Sequence, residues 1–206
     1  MIEHVRQLPI WEQMDVNDGV PARTMPELMA YIRANPGKLN YGTGNGTSIV
    51  AMAQLAQLAK LDMVHIPYKG DAPLTTDIIG GRVHLMVAAG TALPHVQSGK
   101  LRVVATLLPK RSPLAPDAPT MAEVGLNNLS ITPWGGLFGP VGLPREVIDR
   151  LGRDMAKVLA RADVQDQLGR LAFDPQNSSG EELGALVKEQ LGGWRKAVTE
   201  AGIPVE

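Results

Sequence analysis

Apolar residues fall in short continuous runs through the first part of the chain and at helical spacing towards its end. The runs are 39–41 (LNY), 63–68 (MVHIPY), 83–89 (VHLMVAA) and 101–107 (LRVVATL). A strand that is apolar without alternation is covered on both faces, as in a parallel sheet between helices. Helix patterns stand between the runs. Residues 24–34 open on a capping box, Thr24 with Glu27, and put Leu28, Tyr31 and Ile32 on one face. From Ile49 to Leu61 the polar positions are Gln54, Gln57 and Lys60, one narrow stripe on an otherwise buried helix. Asp71 is the expected cap of a third helix, with Pro73 in its first turn and Gly80-Gly81 at its end. A short helix follows around Pro94 to Ser98. The pattern predicts an α/β fold, a parallel sheet flanked by helices. Right-handed crossovers would bring the ends at Tyr41, Tyr68 and Ala89 to one edge, where such sheets hold their ligands.

Beyond a proline-rich loop at 110–119, Thr120 and Glu123 form a second capping box, expected to open a short helix ended by Gly125. Residues 131–140 (ITPWGGLFGP) read as an irregular strand or crossover. Two long helices are expected after it. One runs from near Pro144 to about Ala160, with further turns at 164–171. The other is capped by Ser179 with Glu182 and ends at Gly202. It carries Leu183, Leu186, Val187, Leu191, Trp194 and Val198 on one face. Residues 1–23 are patterned least, with a short strand at 5–11 and turn residues Asn17-Asp18-Gly19 and Pro21. The expected division is a divergent segment at 1–23, an α/β lobe at 24–130, and a crossover strand with C-terminal helices at 131–206.

The stretch 39–61 joins a strand, the turn Gly42-Thr43-Gly44-Asn45-Gly46, and the apolar helix. Glycines widen the backbone angles open to the turn, and Thr47 or Ser48 is the expected cap. A helix start carries unpaired N–H groups and a partial positive charge, so this arrangement can hold an anion without a lysine or arginine. It equally suits a tight connection that binds nothing. Nucleotide loops do not fit: GxxxxGK[ST] is absent, and the GxGxxG frames from Gly42 and Gly44 end on Thr47 and Ile49.

The 206 residues carry a net charge of −1, which gives no footprint for nucleic acid. Cysteine is absent, so disulfides, thiolate metal sites and a cysteine nucleophile are excluded. No run of eighteen apolar residues exists to span a membrane. The opening MIEHVRQLPIWEQMD has neither the basic start nor the apolar core of a signal peptide. The four histidines fit no zinc spacing, and each reads as structural. No paired carboxylates share a target and no Gly-x-Ser-x-Gly elbow occurs. Neither catalytic residues, nor a metal, nor a cofactor is expected.

Six motifs stand in order: PGKLNYGTGNGTS (36–48), HIPYKG (65–70), GGRVHLMVAAGTALPHVQSGKLRVVAT (80–106), KRSPLAPDAPTMAEVG (110–125), WGGLFGPVGLP (134–144), and Trp194 before a terminal Ala-Gly. Together they resemble the substrate-binding protein of tripartite tricarboxylate transporters, the Bug or TctC-like family, from about Pro21 to Gly202. The resemblance implies a two-lobed fold of the type II periplasmic binding protein kind. It implies a periplasmic receptor, with no enzymatic activity, that closes on a small carboxylate and delivers it to a membrane permease. The ligand would be a di- or tricarboxylate, an acidic amino acid or an aromatic acid. The family's Pro-Gly-Gly loop after its first strand has no counterpart here, so the N-terminal part of the first lobe reads as missing. The glycine turn is one residue shorter than the family's, and Ile49-Val50 stand where Gln-His is frequent.

With the resemblance added, Thr43, Gly44, Asn45, Gly46, Thr47 and Ser48 are the expected carboxylate contacts. Tyr68 either lines the pocket or packs at its rim, with Gly70 on the same turn and Lys69 solvated. Gly90 and Thr91 either approach the ligand or form a plain turn. Trp134 stacks near the cleft or belongs to the core, the latter favoured. The alternatives to a receptor are a cytoplasmic small-molecule-sensing domain, consistent with Met1 as a true start, or a truncated receptor that folds without binding. The apolar faces of the C-terminal helices, including Val147, Ile148, Leu151, Met155 and Leu159, predict a homodimer or an exchange of helices. Packing within one chain is the alternative.

Overall fold

The computed structural model describes residues 2–127, 134–174 and 178–200. Its strands are β1 (Ile2–Pro9), β2 (Gln13–Asn17), β3 (Asn40–Thr43), β4 (Val64–Pro67), β5 (Leu85–Ala88), β6 (Leu101–Thr106) and β7 (Trp134–Pro140). Its helices are α1 (Met25–Ala34), α2 (Gly46–Leu58), α3 (Asp71–Ile79), α4 (Leu93–Gln97), α5 (Arg145–Leu159), α6 (Ala162–Arg170) and α7 (Gly180–Glu200), with a 3-10 turn at Gly90–Ala92. The expected strand at 131–133 and the helix end at Gly202 lie outside the described residues.

Five strands form one sheet in the order β4-β3-β5-β2-β6. β3 pairs in parallel with β4 and β5, so the strand ends at Thr43, Pro67 and Ala88 share one edge, as predicted. β2 runs antiparallel between β5 and β6, and its first residue, Gln13, faces Ala88 and Thr106. The chain thus enters this sheet from the edge at which the parallel strands leave it. The sheet is therefore mixed, and one of its central strands comes from the segment that showed least pattern. The expected boundary at residue 23 follows a strand of this sheet. The reason is in the side chains. Met14 and Val16 face α1 and α2, whereas Gln13 and Asp15 face the opposite way, yet that face is covered too. A strand alternating apolar and polar reads as half-exposed, and this one is buried on both sides.

The sheet separates two cores. On one face Leu28, Ile32, Met52, Leu55, Leu85 and Val87 pack together. On the other Leu74, Ile78, Met86, Ala88, Ala92 and Leu101 do so. β1 and β7 form a separate antiparallel pair, against which α5 and α7 lie. The segment after α6 returns to the start of β2: the Trp11 N–H donates to the Ala172 carbonyl, and Lys110 pairs with Asp174 while lying over the Trp11 ring.

The C-terminal helices are partly covered within the chain. Leu159 and Leu183 are buried, and Trp194, Ala197 and Val198 pack on Val50 of α2. Val147, Leu151 and Val158 stay exposed on one side of α5, as does Leu191 on α7.

Candidate functional site

The turns after β3, β4 and β5 meet at the carboxyl edge of the sheet. In the first, Asn45 is extended and caps α2: its side-chain oxygen accepts the Ser48 N–H at 2.8 Å. The Ser48 Oγ in turn accepts the N–H groups of Gly44 and Asn45, each at 3.2 Å. The cap is therefore Asn45 rather than Thr47 or Ser48; a carboxamide oxygen does the work expected of a hydroxyl. Three of the turn's amides are thereby satisfied internally. The N–H groups of Gly46 and Thr47 have no acceptor among the described residues. They project from the positive end of a 13-residue helix, with Gly46 exposed.

None of the three glycines of this turn has a positive φ. Their role is close approach rather than unusual backbone angles. A Cβ on Gly44 would lie 2.3 Å from Asp71 Oδ1, 2.8 Å from the carbonyl carbon of Gly70 and 2.9 Å from the Asp71 nitrogen. The first and second turns are thus in backbone contact. Gly70, at φ 105°, does need glycine's freedom, and it precedes α3 as the cap position expected of Asp71.

The other predicted contacts divide. The Thr43 side chain is buried and bonds His65 Nε2 at 2.7 Å, with the imidazole stacked on Tyr41. It serves the strand pair. Tyr68 follows β4, but its hydroxyl donates to Asp77 Oδ2 at 2.8 Å, in a network with Arg82. Asp77 stands six residues into α3, about 9 Å along the helix from the edge. Burial and the Asp77 carboxylate push the phenol up to about 12. Tyr68→Phe is expected to cost about 1 kcal/mol of stability and to leave any ligand affinity unchanged, as paired denaturation and titration would show.

Gly90 is packed against the backbone of Leu171; a Cβ there would meet its carbonyl carbon at 2.9 Å and its oxygen at 3.0 Å. Its glycine is explained by that crossing. Thr91 is exposed and opens onto a groove between α3 and α4 lined with Thr75, Thr76 and His95. Trp134 opens β7 and is half-buried beside Phe138, in the two-stranded sheet rather than in the five-stranded one that carries the three turns. Lys69 is exposed.

Two acids belong to this edge, and neither was a predicted site residue. Asp71 lies 3.4 Å from the Asn45 side-chain nitrogen, and burial raises its carboxyl above the usual range. Glu12, just before β2, is 5% exposed. Its Oε2 has no hydrogen-bond partner among the described residues, and burial together with the Asp71 charge pushes its carboxyl up to about 8. A third acid, Asp15, is fully buried one turn of the pleat further in; it accepts from Gln13 at 3.0 Å and burial holds it well above its ordinary value. The available signal was three ionisable or amide side chains, Glu12, Gln13 and Asp15, in a segment also rich in Trp11, Met14 and Val16.

The mixed five-stranded sheet flanked by helices, beside a two-stranded sheet, is a fold of the periplasmic binding-protein class. Residues 13–203 match the profile of the Tripartite tricarboxylate transporter family receptor, and the chain belongs to that family. The match begins at β2, earlier than the motifs alone indicated. A protein of Pseudomonas sp. strain P51, the "UPF0065 protein in tcbD-tcbE intergenic region", is 34% identical over 182 residues, 86% of this chain and 54% of its own length. A solved structure, "Structure of a periplasmic transporter", is 30% identical with a TM-score of 0.89, over 100% of this chain and 70% of that one. R. palustris Rpa4515 with adipate is 25% identical with a TM-score of 0.88, over 98% and 69%. The chain thus spans about half the length of the curated relatives it matches. The family is one of periplasmic receptors, not enzymes. No described helix is long and apolar enough to cross a membrane.

Proposed function

We propose that this chain supplies one wall of an extracytoplasmic solute receptor that binds a small carboxylate for a tripartite tricarboxylate transporter and passes it to the membrane permease. The observation that carries the reading is the pair of unengaged amides, Gly46 and Thr47, left at the start of α2 once Asn45 and Ser48 have bonded the others. A carboxylate placed there receives two N–H groups and the helix end's partial charge. Adipate, with which the R. palustris neighbour was solved, is a ligand of that class. Gly44, Asn45 and Gly70 shape the turn beneath the ligand, and Trp194, whose ring would come within 3.9 Å of a Cβ on Gly46, walls it on the α7 side.

Thr47→Pro tests the site. Proline is tolerated in a first helical turn, so the fold should survive. The change removes one of the two amides and should weaken carboxylate binding about tenfold, as expected for a hydrogen bond to a charged group. Calorimetric titration with succinate, glutarate or citrate reads the effect, and binding that Thr47→Pro leaves untouched would place the site elsewhere.

The exposed stripe of Val147, Leu151 and Val158 is proposed to be covered by a second copy of the chain. Light scattering at micromolar concentration should then give twice the chain mass; a clean monomer contradicts it.

A further inference from the structure

The turn after β3 holds the chain's one Asn-Gly step, Asn45-Gly46. In such a step the glycine amide nitrogen can attack the asparagine carboxamide. The reaction is intramolecular, closes a five-membered ring, and meets no side chain on the glycine. The nucleophile here is open to attack chemistry. The Gly46 N–H stands at the first position of α2, is exposed, and has no acceptor among the described residues. The electrophile is held by a lock. Asn45 is half-buried, and its backbone is extended at φ −152° and ψ 170°. Its side-chain oxygen accepts the Ser48 N–H at 2.8 Å, and its side-chain nitrogen donates to Asp71 Oδ1 at 3.4 Å. The Ser48 Oγ closes the box on the Asn45 N–H at 3.2 Å. A single helix cap opens far more readily than the whole fold, and opening it frees the carboxamide to turn towards Gly46.

We infer that Asn45 is a self-modification site: in the open cap the Gly46 nitrogen cyclises on Asn45 Cγ, and hydrolysis leaves an acid in the turn. Water is the only co-reactant. The Gly46 amide loses its proton to solvent, its nitrogen bonds to Cγ, and the side-chain nitrogen leaves as ammonia with a proton from solvent. Water then opens the imide. Attack at Cγ gives aspartate, and attack at the backbone carbonyl gives isoaspartate. In sum, a carboxamide and water become a carboxylic acid and ammonia. Either product carries a negative charge where a neutral group stood. The contact with Asp71 becomes acid against acid. Aspartate still caps a helix and suits its positive end, so the helix is not weakened. The consequence for function rests on the proposed carboxylate site: a ligand at the Gly46 and Thr47 amides would meet a like charge. Conversely, a bound carboxylate engages the Gly46 N–H and blocks the attack, so the empty chain is the one that converts.

The 206-residue chain is incubated at pH 7.5 and pH 9, with and without succinate, and the peptide carrying residues 45–46 is followed by mass spectrometry and isoaspartate detection. Asn45 should convert faster than any other asparagine, and faster at the higher pH. Conversion should be several-fold slower in Gly46→Ala, where a methyl hinders the nitrogen, and several-fold faster in Ser48→Ala, which removes half of the box. Asn45→Asp should unfold no lower than wild type, yet bind succinate about tenfold more weakly or worse. An Asn45 that stays intact while other asparagines convert, or a rate that Gly46→Ala leaves unchanged, overturns the modification site and leaves the carboxylate site standing. If conversion runs at the same rate with succinate shown by calorimetry to be bound, the carboxylate lies away from Gly46, and it is the ligand site that falls.

Discussion

Glu12→Gln is expected to stabilise the folded chain by roughly 3–4 kcal/mol at pH 8 and by almost nothing at pH 4.5, since each unit of displaced pKa is worth about 1.4 kcal/mol. The direction follows from where the proton sits. In the unfolded chain the Glu12 carboxyl ionises near its ordinary 4.5, whereas the folded chain holds its proton to about 8. Below 4.5 both states are protonated and nothing is lost. Between 4.5 and 8 the unfolded state alone releases its proton, so stability falls as pH rises, and above 8 the loss is complete. Asp15 acts with the same sign, because burial raises its carboxyl well above 3.8 in the folded sheet; Asp15→Asn should flatten the same slope. The acids whose values are lowered by partners, Asp77, Glu123, Asp163 and Glu182, lose their contribution only at acid pH, below this window. Urea denaturation at pH 5 and pH 8 is the measurement. A wild-type midpoint that rises with pH, or a Glu12→Gln chain no more stable than wild type at pH 8, would contradict the placement of these acids.

The parallel part of the fold could be read from sequence because each of its strands is an apolar run closed by a turn residue, and each helix between them carries a recognisable start or stop. β3, β4 and β5 fall on the predicted runs, and α1 and α7 begin at the predicted Thr24 and Ser179 boxes. β2 was hidden because its pattern is that of a half-exposed strand, and because its partners, β5 and β6, lie far along the chain. Thr120 and Glu123 do form the reciprocal bonds of a capping box, but a run of turns follows instead of a helix. A box satisfies two amides; it does not supply the apolar periodicity that a helix needs. At the site, sequence located the turns but not the directions of side chains. Thr43 and Tyr68 stand at the expected positions, yet one hydroxyl turns to His65 and the other to Asp77. Those choices depend on partners 22 and 9 residues away, beyond what local spacing specifies. Glu12 and Asp15 were missed for a related reason: nothing in residues 12–16 says that both faces of the strand are covered.

Of the three glycines in the first turn, Gly44 should be the one that cannot be replaced. Gly44→Ala puts a methyl 2.8 Å and 2.9 Å from backbone atoms of Gly70 and Asp71, besides the Asp71 carboxylate at 2.3 Å. A side chain could swing away, but the backbone atoms belong to the start of α3 and can move only with the turn that carries it. Overpacking of this kind costs about 1–3 kcal/mol, and here it must also part the two turns that form the site. Gly42→Ala meets Leu74 Cδ1 at 2.1 Å and Tyr68 Cε2 at 3.3 Å, both side-chain atoms, so a rotamer change can relieve part of the clash at an intermediate cost. Gly46→Ala meets only the Trp194 ring, at 3.9 and 4.0 Å, an ordinary contact at the first position of α2. There alanine's better helix propensity should leave stability unchanged or slightly raised. The expected order of destabilisation is Gly44→Ala, then Gly42→Ala, then Gly46→Ala, with carboxylate binding lost in the first and kept in the last. Thermal unfolding of the three variants, with titration of a dicarboxylate into each, measures both. A Gly44→Ala chain that unfolds and binds like wild type would mean that the turns after β3 and β4 are not in contact, and that the site they form is built differently.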